Sequence, residues 1–199
     1  MECLNYKPFN EPEILSFLGE VGFPAPRIIE VRNNCIVLSY IDGVELGKML
    51  NWSDDIPLEI VASFAKEIYA VNSINYDELL ALYKKAVPNN SFDFYINYYS
   101  FNKQLLAKHW NEIEDTIKQY LPLFDDVLIN RSKEMIAEEL AFCHGDIHQE
   151  NIILQNGNAT LIDWESACIA PISYEIAMHL RKLGTQKNIK MILLNNIYC

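Results

Sequence analysis

The densest run of chemistry-bearing residues is Phe142-Cys143-His144-Gly145-Asp146-Ile147-His148-Gln149-Glu150-Asn151, with Asp163 following a short distance beyond. Phosphoryl transfer asks a protein mainly to position an acceptor hydroxyl and to hold magnesium against phosphate oxygens, so it needs a carboxylate and hard oxygen ligands close together. Asp146 is the candidate base for the hydroxyl proton, and Asn151 and Asp163 are the candidate magnesium ligands. A second chemistry is open to the same run, because His144-x-Asp146-x-His148 has a spacing capable of holding zinc or manganese for a hydrolase. The remaining histidines are His109 and His179, and no cysteine pair completes such a site.

Bringing Asn151 and Asp163 to one ion requires a reversal of the chain between them. Gln155-Asn156-Gly157-Asn158 supplies it, since Asn-Gly is a strong hairpin signal. A two-residue turn at Asn156-Gly157 pairs Leu154 with Ala159, Ile153 with Thr160 and Asn151 with Ile162, so Asn151 and Asp163 emerge at the same end. Adjacent strands lie roughly 5 Å apart, within reach of one metal. Strict alternation would put the two side chains on opposite faces, so the backbone must leave ideal pleating there.

The elements around this hairpin read as α+β. A helical stretch over Glu11–Leu18 precedes two strand-like runs, Arg27–Val31 and Cys35–Ile41, separated by Asn33-Asn34. Helical spacing follows at Leu58, Val61, Phe64, Ala65, Ile68 and Val71, and again at Leu106, Trp110, Ile113, Ile117 and Leu121. The aromatic group Phe92, Phe94, Tyr95, Tyr98, Tyr99 and Phe101 is read as core and inter-helix packing. Further helices are expected near Ser132–Leu140 and over Tyr174–Leu183. The expected division is a small nucleotide-binding lobe over residues 1–45 and a larger helical lobe over 46–199, with the boundary in Asp42–Asn51.

A formal net charge of −11 leaves no broad basic surface for nucleic acid or an anionic membrane, and fits a cationic small molecule better. Five scattered cysteines without a CxxC pair argue against a disulfide framework and imply a reduced, cytoplasmic setting. No apolar run approaches the roughly 20 residues that span a bilayer. The start Met1-Glu2-Cys3-Leu4-Asn5 lacks the basic and apolar regions of a signal peptide.

His144-Gly145-Asp146 with Asn151, followed by Leu161-Ile162-Asp163-Trp164-Glu165, resembles the paired signature of aminoglycoside phosphotransferases and their choline kinase and macrolide kinase relatives. The Asp-x-x-x-x-Asn spacing equals that of the kinase catalytic loop. Gly22-Phe23-Pro24-Ala25-Pro26-Arg27 and Tyr40-Ile41-Asp42-Gly43-Val44-Glu45-Leu46 extend the resemblance, which spans roughly residues 9–183. It implies a protein-kinase-like fold and an ATP- and magnesium-dependent transfer of the γ-phosphoryl group to a hydroxyl of a small molecule such as an aminoglycoside or amino alcohol. Asp146 would be the base, Asn151 and Asp163 the metal ligands, and the backbone of Ser39, Tyr40 and Ile41 the adenine-binding hinge. Glu11 takes the place of the helix glutamate that pairs with the phosphate-binding lysine, and Lys7 is the only lysine near it. His144 is read as a loop-stabilising residue rather than a proton carrier.

The sequence also departs from the family's pattern. No glycine precedes Gly19, Asn72 replaces a histidine, and Glu175-Ile176-Ala177 stands where the family has Asp-Leu-Ala. The expectation is a kinase shortened at both ends, with a non-catalytic kinase-like module and a metallohydrolase as the competing readings.

Overall fold

A computed structural model of the chain describes residues 8–33, 35–49, 58–108 and 138–182, together with a few positions between 111 and 130. Lys7, Trp110, Ile113 and Leu121 lie outside the described residues.

Helix α1 (Glu11–Glu20) begins where Asn10 and Glu13 form a reciprocal capping box, each side chain accepting the other's backbone N–H at 3.0 Å. Its apolar positions Ile14, Leu15, Phe17 and Leu18 are all buried. The chain then forms an antiparallel hairpin of β1 (Ile28–Arg32) and β2 (Cys35–Leu38), in which Arg32 pairs with Cys35 across the Asn33-Asn34 connection. The expected strand Cys35–Ile41 therefore stops at Leu38. Ser39 is held by two hydrogen bonds to Arg27, its N–H donating to the Arg27 carbonyl and its Oγ accepting the Arg27 N–H, both at 2.8 Å.

At the expected lobe boundary lies β3 (Val44–Glu45), followed by the single turn α2 (Leu46–Met49). Two residues are too few to show strand periodicity, yet β3 pairs antiparallel with β5 (Ile152–Gln155), which with β6 (Asn158–Leu161) makes a sheet ordered β3-β5-β6. Helix α3 (Leu58–Asn72) realises the expected 3.6-residue stripe, burying Ala65, Ile68 and Val71. After α4 (Asp77–Tyr83) comes α5 (Ser91–Lys108), which buries Ser91 and Phe94. The Phe94 ring meets Tyr174 edge-on at 4.9 Å and Tyr98 at 6.0 Å, so this part of the aromatic group is packing. Phe101, by contrast, is exposed.

One expected helix needs correction. Residues 132–137 lie outside the described residues, but Leu140 opens a strand, β4 (Leu140–Cys143), which pairs antiparallel with β7 (Cys168–Pro171) from Leu140–Pro171 through to Cys143–Cys168. Both strands are short and almost wholly buried, so no polar–apolar alternation marks them. Between them run β5 and β6, and β7 leads directly into the last described helix, here α6 (Ile172–Lys182).

The core joins both halves. Trp164 is fully buried, edge-on to Phe23 at 5.7 Å, stacked on Phe142 at 6.2 Å and tilted against His144 at 4.5 Å. Phe142 in turn meets Phe17 of α1 at 6.0 Å.

Candidate active site

The hairpin pairs as the Asn-Gly turn requires. Ile152 faces Leu161, Ile153 faces Thr160 and Leu154 faces Ala159, with Asn156 and Gly157 at φ 52° and 80°. The ladder is extended by the Ile162 N–H donating to the Asn151 carbonyl at 3.0 Å. Immediately beyond, both strands leave the pleat. Asn151 closes a 3-10 turn (Gln149–Asn151), and Asp163 adopts a left-handed φ of 63°, a conformation uncommon outside glycine.

The loop carrying Asp146 is held from several directions by polar and packing groups. Asn72 of α3 donates its Nδ2–H to the Phe142 carbonyl at 2.9 Å. Gly145 has a φ of 78°, and a Cβ there would lie 2.2 Å from the Ser166 carbonyl oxygen, so only glycine fits. Glu175 of α6, 1% exposed, accepts the N–H of His144 on Oε1 and that of Gly145 on Oε2, both at 2.8 Å. His144 spans the site with both ring nitrogens, Nε2–H donating to the Ile162 carbonyl at 3.0 Å and Nδ1 accepting the Asp146 N–H at 3.3 Å. Burial pushes its pKa down to about 4, so the imidazole is neutral and acts as a brace between loop and hairpin.

Asn151 is buried, and its Nδ2–H donates to the Asp146 carbonyl at 3.0 Å. That bond fixes the amide orientation and leaves Oδ1 as the oxygen able to meet a cation. The Asp146 carboxylate is 29% exposed at its side chain, with His148 Nε2 at 3.7 Å. His148 also caps the 3-10 turn, its Nδ1 accepting the Glu150 N–H at 3.3 Å.

A cleft of about 520 Å³ is lined by Glu11, Ser39, Tyr40, Ile41 and Asp163, together with Ile153 and Ile162 of the hairpin. This is the size of a small-ligand pocket. Glu11 accepts the Trp164 N–H on Oε1 at 3.2 Å, which ties α1 to the residue after Asp163. Burial raises the Glu11 pKa, and the nearby carboxylates of Asp163 and Glu165 push the same way. The cleft wall at Asp163 is thus an electronegative oxygen surface. Among the described residues no three His, Cys, Asp or Glu side chains converge to cage a metal, and His144, being committed to the brace, is not a free ligand.

The model of the phosphotransferase enzyme family matches residues 9–192. The chain belongs to this family. The chain has the protein-kinase-like fold of several solved structures. Over its whole length it superposes on 59% of an ethanolamine kinase from Plasmodium vivax, with a TM-score of 0.68 and 18% identity. It superposes over 97% of its length on 62% of a choline kinase from Cryptosporidium parvum, TM-score 0.64 and 15% identity. With the streptomycin–ATP ternary complex of APH(2")-IIa the figures are 94% of this chain, 65% of that one, TM-score 0.64 and 14% identity. The chain therefore spans about three fifths of the length of these structures. No curated protein matches the sequence significantly.

Two supports of the site carry no role in a reading of the sequence. Glu175 and Asn72 register there only as departures from the family pattern. Glu175 has a detectable signal in retrospect: it shares the buried face of α6 with His179 one turn on, and buried polar residues at i and i+4 require partners. Asn72, at the last residue of α3, has no such signal.

Proposed function

We propose that the chain is an ATP- and magnesium-dependent phosphotransferase acting on a hydroxyl of a small molecule. The observation that supports the reading is the cleft itself, lined by both the Ser39–Ile41 segment and Asp163, the first suited to a nucleobase and the second to the metal end of a triphosphate. The donor set fits magnesium, which takes hard oxygens and uses few protein ligands beside substrate phosphates. Asn151 Oδ1 and the Asp163 carboxylate would hold it, and when bound it would neutralise the charge developing on the phosphate oxygens.

Asp146 receives the proton of the acceptor hydroxyl. Its backbone is fixed on both sides, by His144 at the N–H and Asn151 at the carbonyl, so its carboxylate approaches the acceptor from a set direction. The ethanolamine kinase, the choline kinase and the streptomycin complex each name an amine-bearing molecule, and this chain's net charge of −11 suits a cationic acceptor. A cytoplasmic setting follows from the same reading, and no described helix is long and apolar enough to cross a membrane.

The test is ADP release from magnesium-ATP with ethanolamine, choline and a panel of aminoglycosides as acceptors. Turnover with at least one is expected, and Asp146→Asn should lower it by about 10²–10⁴-fold while leaving the fold intact. A folded chain inert toward the whole panel, or turnover indifferent to Asp146→Asn, would overturn the assignment.

A further inference from the structure

Strand β1 lies at the edge of its sheet. Among the described residues it pairs with β2 alone, and it is exposed from Ile29 to Arg32, with the apolar Ile29 and Val31 at 67% and 64% exposure. Such an edge offers unpaired backbone N–H and C=O groups to another strand. We propose that β1 is a self-association surface, pairing antiparallel with the β1 strand of a second copy of this chain about a two-fold axis at Val31.

The hairpin sets which backbone groups face outward. A two-residue connection closes on a hydrogen-bonded pair, Arg32–Cys35, so by alternation Val31–Ile36 is a pair whose N–H and C=O groups point away from each other. The Ser39 N–H donating to the Arg27 carbonyl at 2.8 Å keeps that alternation on the β2 side beyond the irregularity between Ile28 and Glu30. Both Val31 backbone groups are therefore directed to the outer edge. A two-fold axis there lets each copy's Val31 N–H donate to the other's Val31 carbonyl, the isologous contact that a symmetric dimer requires.

The charges choose both the register and the partner. Glu30 and Arg32 flank Val31 and form an ion pair at 2.7 Å within one chain, their side chains 50% and 63% exposed. In the Val31-centred register Glu30 stands opposite Arg32 of the second copy, and Arg32 opposite its Glu30. These are the non-hydrogen-bonded positions, where facing side chains come closest, and the four charges make one alternating network. The neighbouring registers that still use the Val31 backbone set Glu30 against Glu30, or Arg32 against Arg32, and are repulsive. Charged residues ordinarily guard a strand edge, but opposite charges two residues apart make this strand its own complement. The contact is locally neutral, so it adds nothing to the repulsion that a net charge of −11 brings to each copy. Bounded by the irregularity at one end and the Asn33-Asn34 connection at the other, the paired stretch runs only from Ile29 to Asn33. A stretch this short falls below the roughly 1,200 Å² of a stable interface, so the dimer is weak and concentration-dependent.

The test is sedimentation of the full chain from micromolar to millimolar concentration at physiological ionic strength, where repulsion between copies is screened beyond about 8 Å. A monomer–dimer equilibrium is expected. Hydrogen exchange at the Val31 amide should slow as the dimer fills, while the Ile36 amide, directed to the opposite edge, is unaffected. Glu30→Lys creates two like-charge contacts across the axis and should raise the dimer Kd by at least about 10-fold, although it reduces the overall repulsion between copies. Arg32→Glu should do the same. The double variant Glu30→Lys with Arg32→Glu restores the alternation and should return Kd to within about threefold of wild type. Val31→Pro removes the outward donor without breaking a bond to β2, and should abolish the dimer. Should Val31→Pro fail to fold, the charge-exchange series decides. A chain that stays monomeric throughout, with fast exchange at Val31, overturns the proposal and leaves the edge open or reserved for a different polypeptide. A dimer indifferent to both charge exchanges overturns it equally, because its contact then lies elsewhere.

Discussion

Gly145 and Gly157 have nearly the same backbone, φ 78° and 80°, but opposite surroundings, and alanine at each separates two things a glycine supplies. A left-handed conformation costs a residue with a Cβ about 1–2 kcal/mol, and both substitutions incur it. At Gly157 the added Cβ meets nothing within 4 Å, so the cost ends there. At Gly145 it would lie 2.2 Å from the Ser166 oxygen and 3.0 Å from its carbonyl carbon. An unstrained carbon–oxygen contact is about 3.3 Å, so loop and Ser166 must separate by about 1 Å. The hydrogen bonds from His144 and Gly145 to Glu175, each 2.8 Å, do not survive such a shift together. Losing one bond to a charged group costs about 1.5–3 kcal/mol. The expected losses are therefore about 1–2 kcal/mol for Gly157→Ala and about 2.5–5 kcal/mol for Gly145→Ala. Urea unfolding of each full-length variant, read at constant m, measures the difference directly. In thermal unfolding it corresponds to a further drop on the order of 5–10 °C for Gly145→Ala. Equal losses in the two variants, within about 0.5 kcal/mol, would show that the loop yields freely and that close approach to Ser166 fixes nothing.

Asp163→Ala is expected to weaken magnesium-nucleotide binding more than metal-free nucleotide binding; calorimetry giving equal losses would place Asp163 outside the metal's coordination. Stability against pH should peak near the middle of the range. His144 and His179, both held near 4 against an ordinary 6.5, contribute stability that is complete above 6.5 and is lost as pH falls toward 4, about 1.4 kcal/mol per unit each. Glu175, raised from 4.5 to about 7, contributes in the opposite sense, its stabilisation complete below 4.5 and lost as pH rises through 7. Urea midpoints should thus fall on the acid side, where two histidines outweigh one carboxylate, and fall more gently toward pH 7; a chain that gains stability steadily through pH 7 to 8 would contradict these burial effects.

How much of this was legible depended on whether local chemistry or tertiary contact decided the outcome. The capping box at Asn10 and Glu13 and the Asn156-Gly157 turn are written in adjacent residues, so α1 and the β5–β6 register follow from sequence. So does the need for irregular backbone beside Asn151 and Asp163, because a period of two cannot bring them to one face. The β4–β7 pairing is different. Leu140-Ala141-Phe142-Cys143 and Cys168-Ile169-Ala170-Pro171 bond to partners far along the chain and show no alternation, which left Leu140 assigned to a helix. β3 is likewise a strand only because Leu154 and Ile153 lie beside it. In the site, residue types announced the groups that face solvent or cleft, Asp146 and Asp163, while the groups that hold them are recognisable only from their partners.

That division has a physical basis. A side chain that meets a ligand must have a particular chemistry, but a side chain that holds backbone need only present the right polarity at the right place. The Phe142 carbonyl requires a donor, and Asn72 gives one at 2.9 Å where the family pattern has a histidine. The His144 and Gly145 amides require acceptors, and Glu175 gives two where that pattern has an aspartate. In both places the side chain supplies the polarity that the backbone group requires. These two departures from the family pattern, Asn72 and Glu175, are thus substitutions within the frame that holds the Asp146 loop.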